Sequence, residues 1–183
     1  NDNIAVQALW DLCFDDPSFP LYQRISWDQY MSAGNLINAL GVGKIAGTLH
    51  RHAGPGRGSD AQELARGLAI IAHPDNIGVK AFSQNVKTYF ELIDWLSPID
   101  HIKKTNSAKT FRQSFMFALA MVLSDHEVFW DETSTVLSID ADTKKKLKSF
   151  DLHDSSLEPL LGSSSSKAVA QLYMEIVSHL NRG

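Results

Sequence analysis

The sequence predicts an all-α fold, a single globular bundle of about seven or eight helices. Three observations carry this. Apolar residues recur at spacings of three and four along most of the chain, and strand-like alternation is scarce. The helical stretches are punctuated by Pro, Gly and capping residues. At 183 residues and 44% hydrophobic content, the chain has enough apolar material for one core. One helical domain over 1–183 follows. Because the sequence opens on Asn1 rather than Met, the expectation is a piece of a larger protein.

Ile4, Ala8 and Leu12 repeat every four residues and predict a short amphipathic helix, which the two prolines of DDPSFPLYQRISWD end. Asp28 is expected to cap a helix to about Leu40, with Gly41 to Gly43 interrupting before a short apolar piece, Ile45 to Leu49. Asp60 followed by Glu63 forms a capping-box-like pair opening a helix through Ala72, and His73-Pro74 closes it. Val79, Phe82, Val86, Tyr89, Phe90, Ile93 and Leu96 predict the longest helix, from about Asn76 to Leu96. Ser107 to Ser124 is apolar around most of its circumference, so a helix there belongs at the centre of the bundle. A looser stretch, Asp125 to Asp140, holds Phe129 and Trp130 as anchors. Ala141 to Phe150 predicts a lysine-rich helix. Ser163 to Ser166 supplies a turn and an N-cap for a final helix striped with Val169, Leu172, Ile176 and Leu180.

The net charge of −4 is unevenly spread. Residues 1–43 carry Arg24 against five acids, 44–112 carry ten Lys/Arg against six acids, and 113–183 carry six against ten. A basic middle between acidic flanks attracts phosphate chains if its cations share a face. The longest apolar run, Phe115 to Leu123, is nine residues, against the roughly twenty a membrane span needs. No membrane association is therefore expected. With Cys13 alone, no internal disulfide forms, and a cytoplasmic setting is expected.

LHRHAGPGRGSD, residues 49–60, concentrates glycine, arginine and histidine. His50 and His52 diverge by about 200° on a helix and share a metal only in extended chain; they read as exposed histidines at a frayed helix end. The GPGRG loop lacks the Gly-Lys-Ser/Thr ending of a nucleotide cradle, and no strand precedes it. A flexible connector is the simpler reading, with Arg51 and Arg57 available to a nucleic-acid backbone. His153-Asp154 lacks the further ligands of a metal phosphohydrolase. Asp125, His126, Glu127, Asp131 and Glu132 form an acidic cluster of hydrolase type without EF-hand spacing, and read more simply as a solvated helix end. Lys144, Lys145, Lys146 and Lys148 read as a solvated basic face. No catalytic residue, metal site or cofactor is assigned.

Asp16-Pro17-Ser18-Phe19-Pro20-Leu21-Tyr22-Gln23-Arg24-Ile25 resembles a segment of DGQHR-domain proteins, the DndB-like, ParB-related family, and Thr88 to Pro98 (TYFELIDWLSP) resembles a later helix of theirs. Here Phe19 precedes Pro20, a departure from the family pattern, and the DGQHR motif itself does not occur. The resemblance implies the helical C-terminal portion of a DNA-associated bacterial protein linked to DNA modification or defence. Arg24 is the matched polar residue, expected to pair with Asp15 or Asp16. The function expected is a non-catalytic helical module that assists nucleic-acid binding or assembly, with contact through Arg51, Arg57, Lys103, Lys104 and Lys109. The expected partners are DNA and a protein partner or second copy. The alternatives are a protein-interaction or oligomerisation module and a metal-dependent hydrolase using residues 125–132.

Overall fold

In the computed structural model, residues 2–28, 34–51, 60–102 and 108–182 are described. Eight α-helices occur among them: α1 (Ile4–Asp15), α2 (Ala39–Leu49), α3 (Ala61–Ala72), α4 (Gly78–Leu96), α5 (Gln113–Asp125), α6 (Ala141–Lys148), α7 (Glu158–Leu161) and α8 (Ser166–Asn181). Two two-residue strands, β1 (Ile25–Ser26) and β2 (Ile37–Asn38), pair in parallel with Ile25 opposite Ile37. The chain is mostly helical, as its periodicity predicts. No helix among the described residues is long and apolar enough to cross a membrane.

Side-chain caps start most of the long helices. Asn3, Asn38, Asp60, Asp140 and Ser165 each accept a backbone N–H from the first turn of α1, α2, α3, α6 and α8, satisfying donors that the helix itself leaves open. The core gathers around α5. All but three of its residues are buried, and it packs chiefly against α8 and α2. Tyr89 of α4 reaches it with a 2.6 Å hydrogen bond to the Met116 carbonyl. Complete burial drives the Tyr89 phenol well above its ordinary pKa.

Two expectations for the first half of the chain need correction. The helix expected from Asp28 to Leu40 is absent where it can be seen: 29–33 lie outside the described residues, and the chain from 34 leads into β2. Gly41 and Gly43 do not interrupt anything, because α2 runs unbroken from Ala39 to Leu49. The glycines are there for approach. A Cβ on Gly43 would meet Leu64 of α3 at 3.2 Å, and one on Gly47 would meet it at 3.6 Å. Their missing side chains let α3 lie close to α2, which offsets the roughly 1 kcal/mol that helical glycine costs against alanine. The apolar helix expected from Ser107 also begins later, with a 3-10 turn at Lys109–Phe111 before α5.

Arg24 is the second correction. Rather than pairing with Asp15 or Asp16, it donates to the carbonyls of Gly34, Ile99 and Ile102 at 3.0, 2.8 and 2.7 Å. One guanidinium thus ties the β1–β2 connection to the turn after α4. Asp16 pairs instead with Lys87 at 2.9 Å and accepts from Ser18, and these bonds hold its carboxyl below the ordinary range. Phe19 meets Phe90 edge-on at 6.0 Å. The segments 16–25 and 88–98 are therefore one packing unit.

The two α2 glycines give a contrast to measure. Gly47→Ala, where a Cβ has ordinary contact distance, is expected to raise the urea midpoint by an amount worth about 0.5–1 kcal/mol. Gly43→Leu is expected to lower it by more than that by wedging α2 from α3. Equal tolerance at both positions contradicts the close-approach explanation.

Candidate functional site

α2 and α5 run parallel. Arg51, just past the end of α2, donates Nε to the Ser124 carbonyl in the last turn of α5 at 2.6 Å, while Asn38 and Gly41 at the start of α2 share a cavity with Phe111 and Gln113 at the start of α5. The seam therefore has two ends of different chemistry.

The C-terminal end is a closed polar network. His50 is mostly buried, stacked on Phe82 at 5.3 Å. Its Nδ1 lies 2.7 Å from the Ala46 carbonyl, which only accepts, so Nδ1 carries the proton and Nε2 accepts from Asn85 Nδ2 at 3.0 Å. Asn85, fully buried in α4, also donates to the Thr135 carbonyl at 2.8 Å and accepts from the Leu137 N–H at 3.0 Å. Every partner relation in this group is consistent with a neutral imidazole. Burial lowers the His50 pKa to about 4, against the smaller opposing pull of the Ala46 carbonyl. The expected pair of exposed histidines is thus corrected at position 50; His52 lies outside the described residues. Arg51 sits in a left-handed conformation (φ 59°) with its guanidinium 5.5 Å from the Trp130 ring centre, completing this end.

The N-terminal end of α5 is open. Among the described residues no side chain caps it, and the first hydrogen bond of the helix is Met116 N–H to the Arg112 carbonyl at 3.1 Å. The N–H groups of Gln113, Ser114 and Phe115 have no acceptor within the helix and lie at the positive end of its dipole. Arg112 is half-buried beside them, and its Nε has no hydrogen-bond partner among the described residues. Lys109 pairs with Glu158 of α7 at 2.8 Å. Lys109, then Arg112 and His153, surround that carboxylate and hold its pKa low. Ser114 fixes the geometry by donating to the Leu160 carbonyl at 3.0 Å. A cleft of about 330 Å³ opens alongside, with Thr110, Phe115, Lys148 and His153 among its walls and Asp151 at its rim. Thr110 keeps a buried hydroxyl with no partner among the described residues.

Of the five cations selected from the sequence, Arg57, Lys103 and Lys104 lie outside the described residues. Arg51 and Lys109 are at opposite ends of α5, a helix about 20 Å long at 1.5 Å per residue, so they do not form one cluster. Arg112 and His153, not selected, stand beside Lys109; the missing capping residue before α5 was the available signal. In the acidic stretch, Asp131 Oδ1 accepts from the Thr135 and Val136 N–H groups at 2.7 and 3.1 Å, and Oδ2 accepts from Thr133. These bonds lower its pKa and close a turn. Among the described residues, no group of three or more His, Cys, Asp or Glu is placed to hold a metal ion.

The chain was compared with known proteins at three levels. No family model, no curated protein and no solved structure matches it. Residue roles therefore rest on geometry alone.

His50 gives a pH test. In the unfolded chain it titrates near its ordinary 6.5 and in the folded chain near 4, so the folded state binds fewer protons between those values. The stabilisation is complete above pH 6.5 and is lost as pH falls towards 4. Unfolding free energy is expected to drop by about 3 kcal/mol more in the wild type than in His50→Gln across that window. Parallel pH profiles for the two proteins contradict the buried neutral imidazole.

Proposed function

We propose that this chain is a non-catalytic helical module that holds a nucleic-acid backbone against the start of α5, within a DNA-associated protein of DGQHR type. The observation that carries the reading is the partly buried Arg112, whose Nε has no partner among the described residues, beside a first turn of α5 that none of them caps with a side chain. Phosphate oxygens are the acceptors that suit a guanidinium and the first-turn N–H groups of a helix together. Lys109 and His153 add cationic or protonatable groups, and in the sequence Lys103 and Lys104 lie just upstream. The use of Asp131 to close its own turn weighs against a hydrolase built on 125–132.

A second reading, assembly with a protein partner, is favoured by one surface. Trp10 and Phe14 are exposed with ring centres 4.4 Å apart, and Trp10 packs edge-on at 5.0 Å against the partly buried Trp27, in the acidic first segment of the chain. Contiguous exposed aromatics of this kind mark interaction surfaces.

Fluorescence anisotropy with duplex DNA separates the two. Affinity is expected to fall linearly with salt on logarithmic axes. The double variant Lys109→Gln/Arg112→Gln is expected to reduce the slope by about two and the affinity by about tenfold or more, while Trp10→Ser changes neither. Salt-independent binding, or no binding at low salt, overturns the nucleic-acid reading. Loss of self-association in Trp10→Ser supports the assembly reading.

A further inference from the structure

The cavity where α2 and α5 begin has a composition unlike the cationic edge next to it. It encloses about 240 Å³. Ile45, Phe111, Met116 and Phe117 form an apolar floor, each of them buried. Ile37 of β2 closes one side, and the exposed side chains of Asn38 and Gln113 stand at the rim. Gly41 sits in the wall, where a Cβ would lie 3.1 Å from both Ile37 Cγ1 and Asn38 Oδ1. Its lack of a side chain keeps this part of the wall recessed.

The rim has a defined polarity. Asn38 Oδ1 is occupied by the Gly41 N–H at 2.7 Å, so the group that Asn38 offers outward is its Nδ2 amide donor. Gln113 carries a second amide across the opening. Asn38 caps α2 and Gln113 is the first residue of α5, so the positive ends of two parallel helices meet here. An apolar floor below two donors and two positive helix ends selects a molecule with a short apolar body and one anionic, hydrogen-bond-accepting head. At ~30 Å³ for each water-sized group, the space takes about eight such groups. That is smaller than the roughly 300–1,000 Å³ typical of pockets for drug-sized ligands.

We propose that the cavity lined by Ile37, Ile45, Phe111, Met116 and Phe117 binds a small monocarboxylate of about eight carbons in all, its head held by Asn38 and Gln113 at the rim. The cavity adjoins the proposed nucleic-acid edge at the start of α5, but its apolar lining is distinct from the Lys109 and Arg112 cations and the assignment does not depend on that reading. The body displaces water from apolar walls, which supplies the affinity; the rim supplies the choice of head group.

The test is methyl NMR on the full chain, following Ile37, Ile45 and Met116 during titration with octanoate, octan-1-ol and octylammonium. The expected result is saturable shifts at these three residues with octanoate, at least tenfold weaker with the alcohol and the amine. Gln113→Trp, on an exposed position, is expected to block the mouth and weaken octanoate at least tenfold. Gln113→Glu provides a second variant independent of bulk: it is expected to weaken octanoate and leave octan-1-ol unchanged. Alcohol or amine binding as tightly as octanoate overturns the carboxylate assignment. Shifts that do not saturate, or that centre on the exposed Ile70 or Met174 instead, overturn the site.

Discussion

A helix that is apolar on nearly every side must be surrounded, and α5 imposes that requirement on the whole chain. Phe115, Phe117, Leu119, Val122 and Leu123 cover different sides of α5, and all are buried, so α2, α4 and α8 must each present an apolar face to it. Its position explains other choices. Tyr89 delivers a hydroxyl to the Met116 carbonyl, Trp130 donates to the Leu123 carbonyl at 2.8 Å, and Ser114 holds α7. The peripheral elements are thus fastened to one axis at its first, middle and last turns.

Around that apolar axis, a few polar groups determine how the pieces are arranged. Asn85 joins α4 to the 135–137 segment and, through His50, to the end of α2. Arg24 joins the β1–β2 connection to the turn after α4. Each group has all or most of its hydrogen-bonding capacity filled, and removing one partner strands the others in a low-dielectric interior. The start of α5 is the contrast. There, among the described residues, a guanidinium Nε and the Thr110 hydroxyl have no partner and the first-turn N–H groups have no capping side chain. Polar atoms left without partners beside a cleft distinguish this end from the closed network at the other.

The parts of the fold that depend on local chemistry were legible in the sequence. Asp60 and the serines at 163–166 announce their helices, and the stripe from Val79 to Leu96 defines α4, because capping and amphipathic periodicity act over a few residues. What depends on distant partners was not. Gly43 looks like a breaker until α3 is placed against it, and Gly41 until Ile37 and Asn38 fold back onto it. Arg24 looks destined for the nearby aspartates, yet its acceptors at 99 and 102 lie far along the chain. His50 gives no local hint that Asn85 will bury and neutralise it. For the candidate site, the basic character of the middle segment and Lys109 were visible, whereas the role of Arg112 follows from how α5 begins. The apolar cavity between α2 and α5 has no signature in either segment alone, since each contributes only half of its wall.

The most direct test of the central claim, that the open start of α5 receives phosphate, is backbone amide NMR with and without a short DNA duplex. The N–H groups of Gln113, Ser114 and Phe115 are the informative probes because they have no acceptor within the helix. The expected result is a duplex-dependent shift at these three amides and at the Arg112 side chain, reversed by added salt. Shifts confined to the Arg51–Trp130 end of the seam or to the Trp10 surface, with the first turn of α5 unchanged, would contradict it.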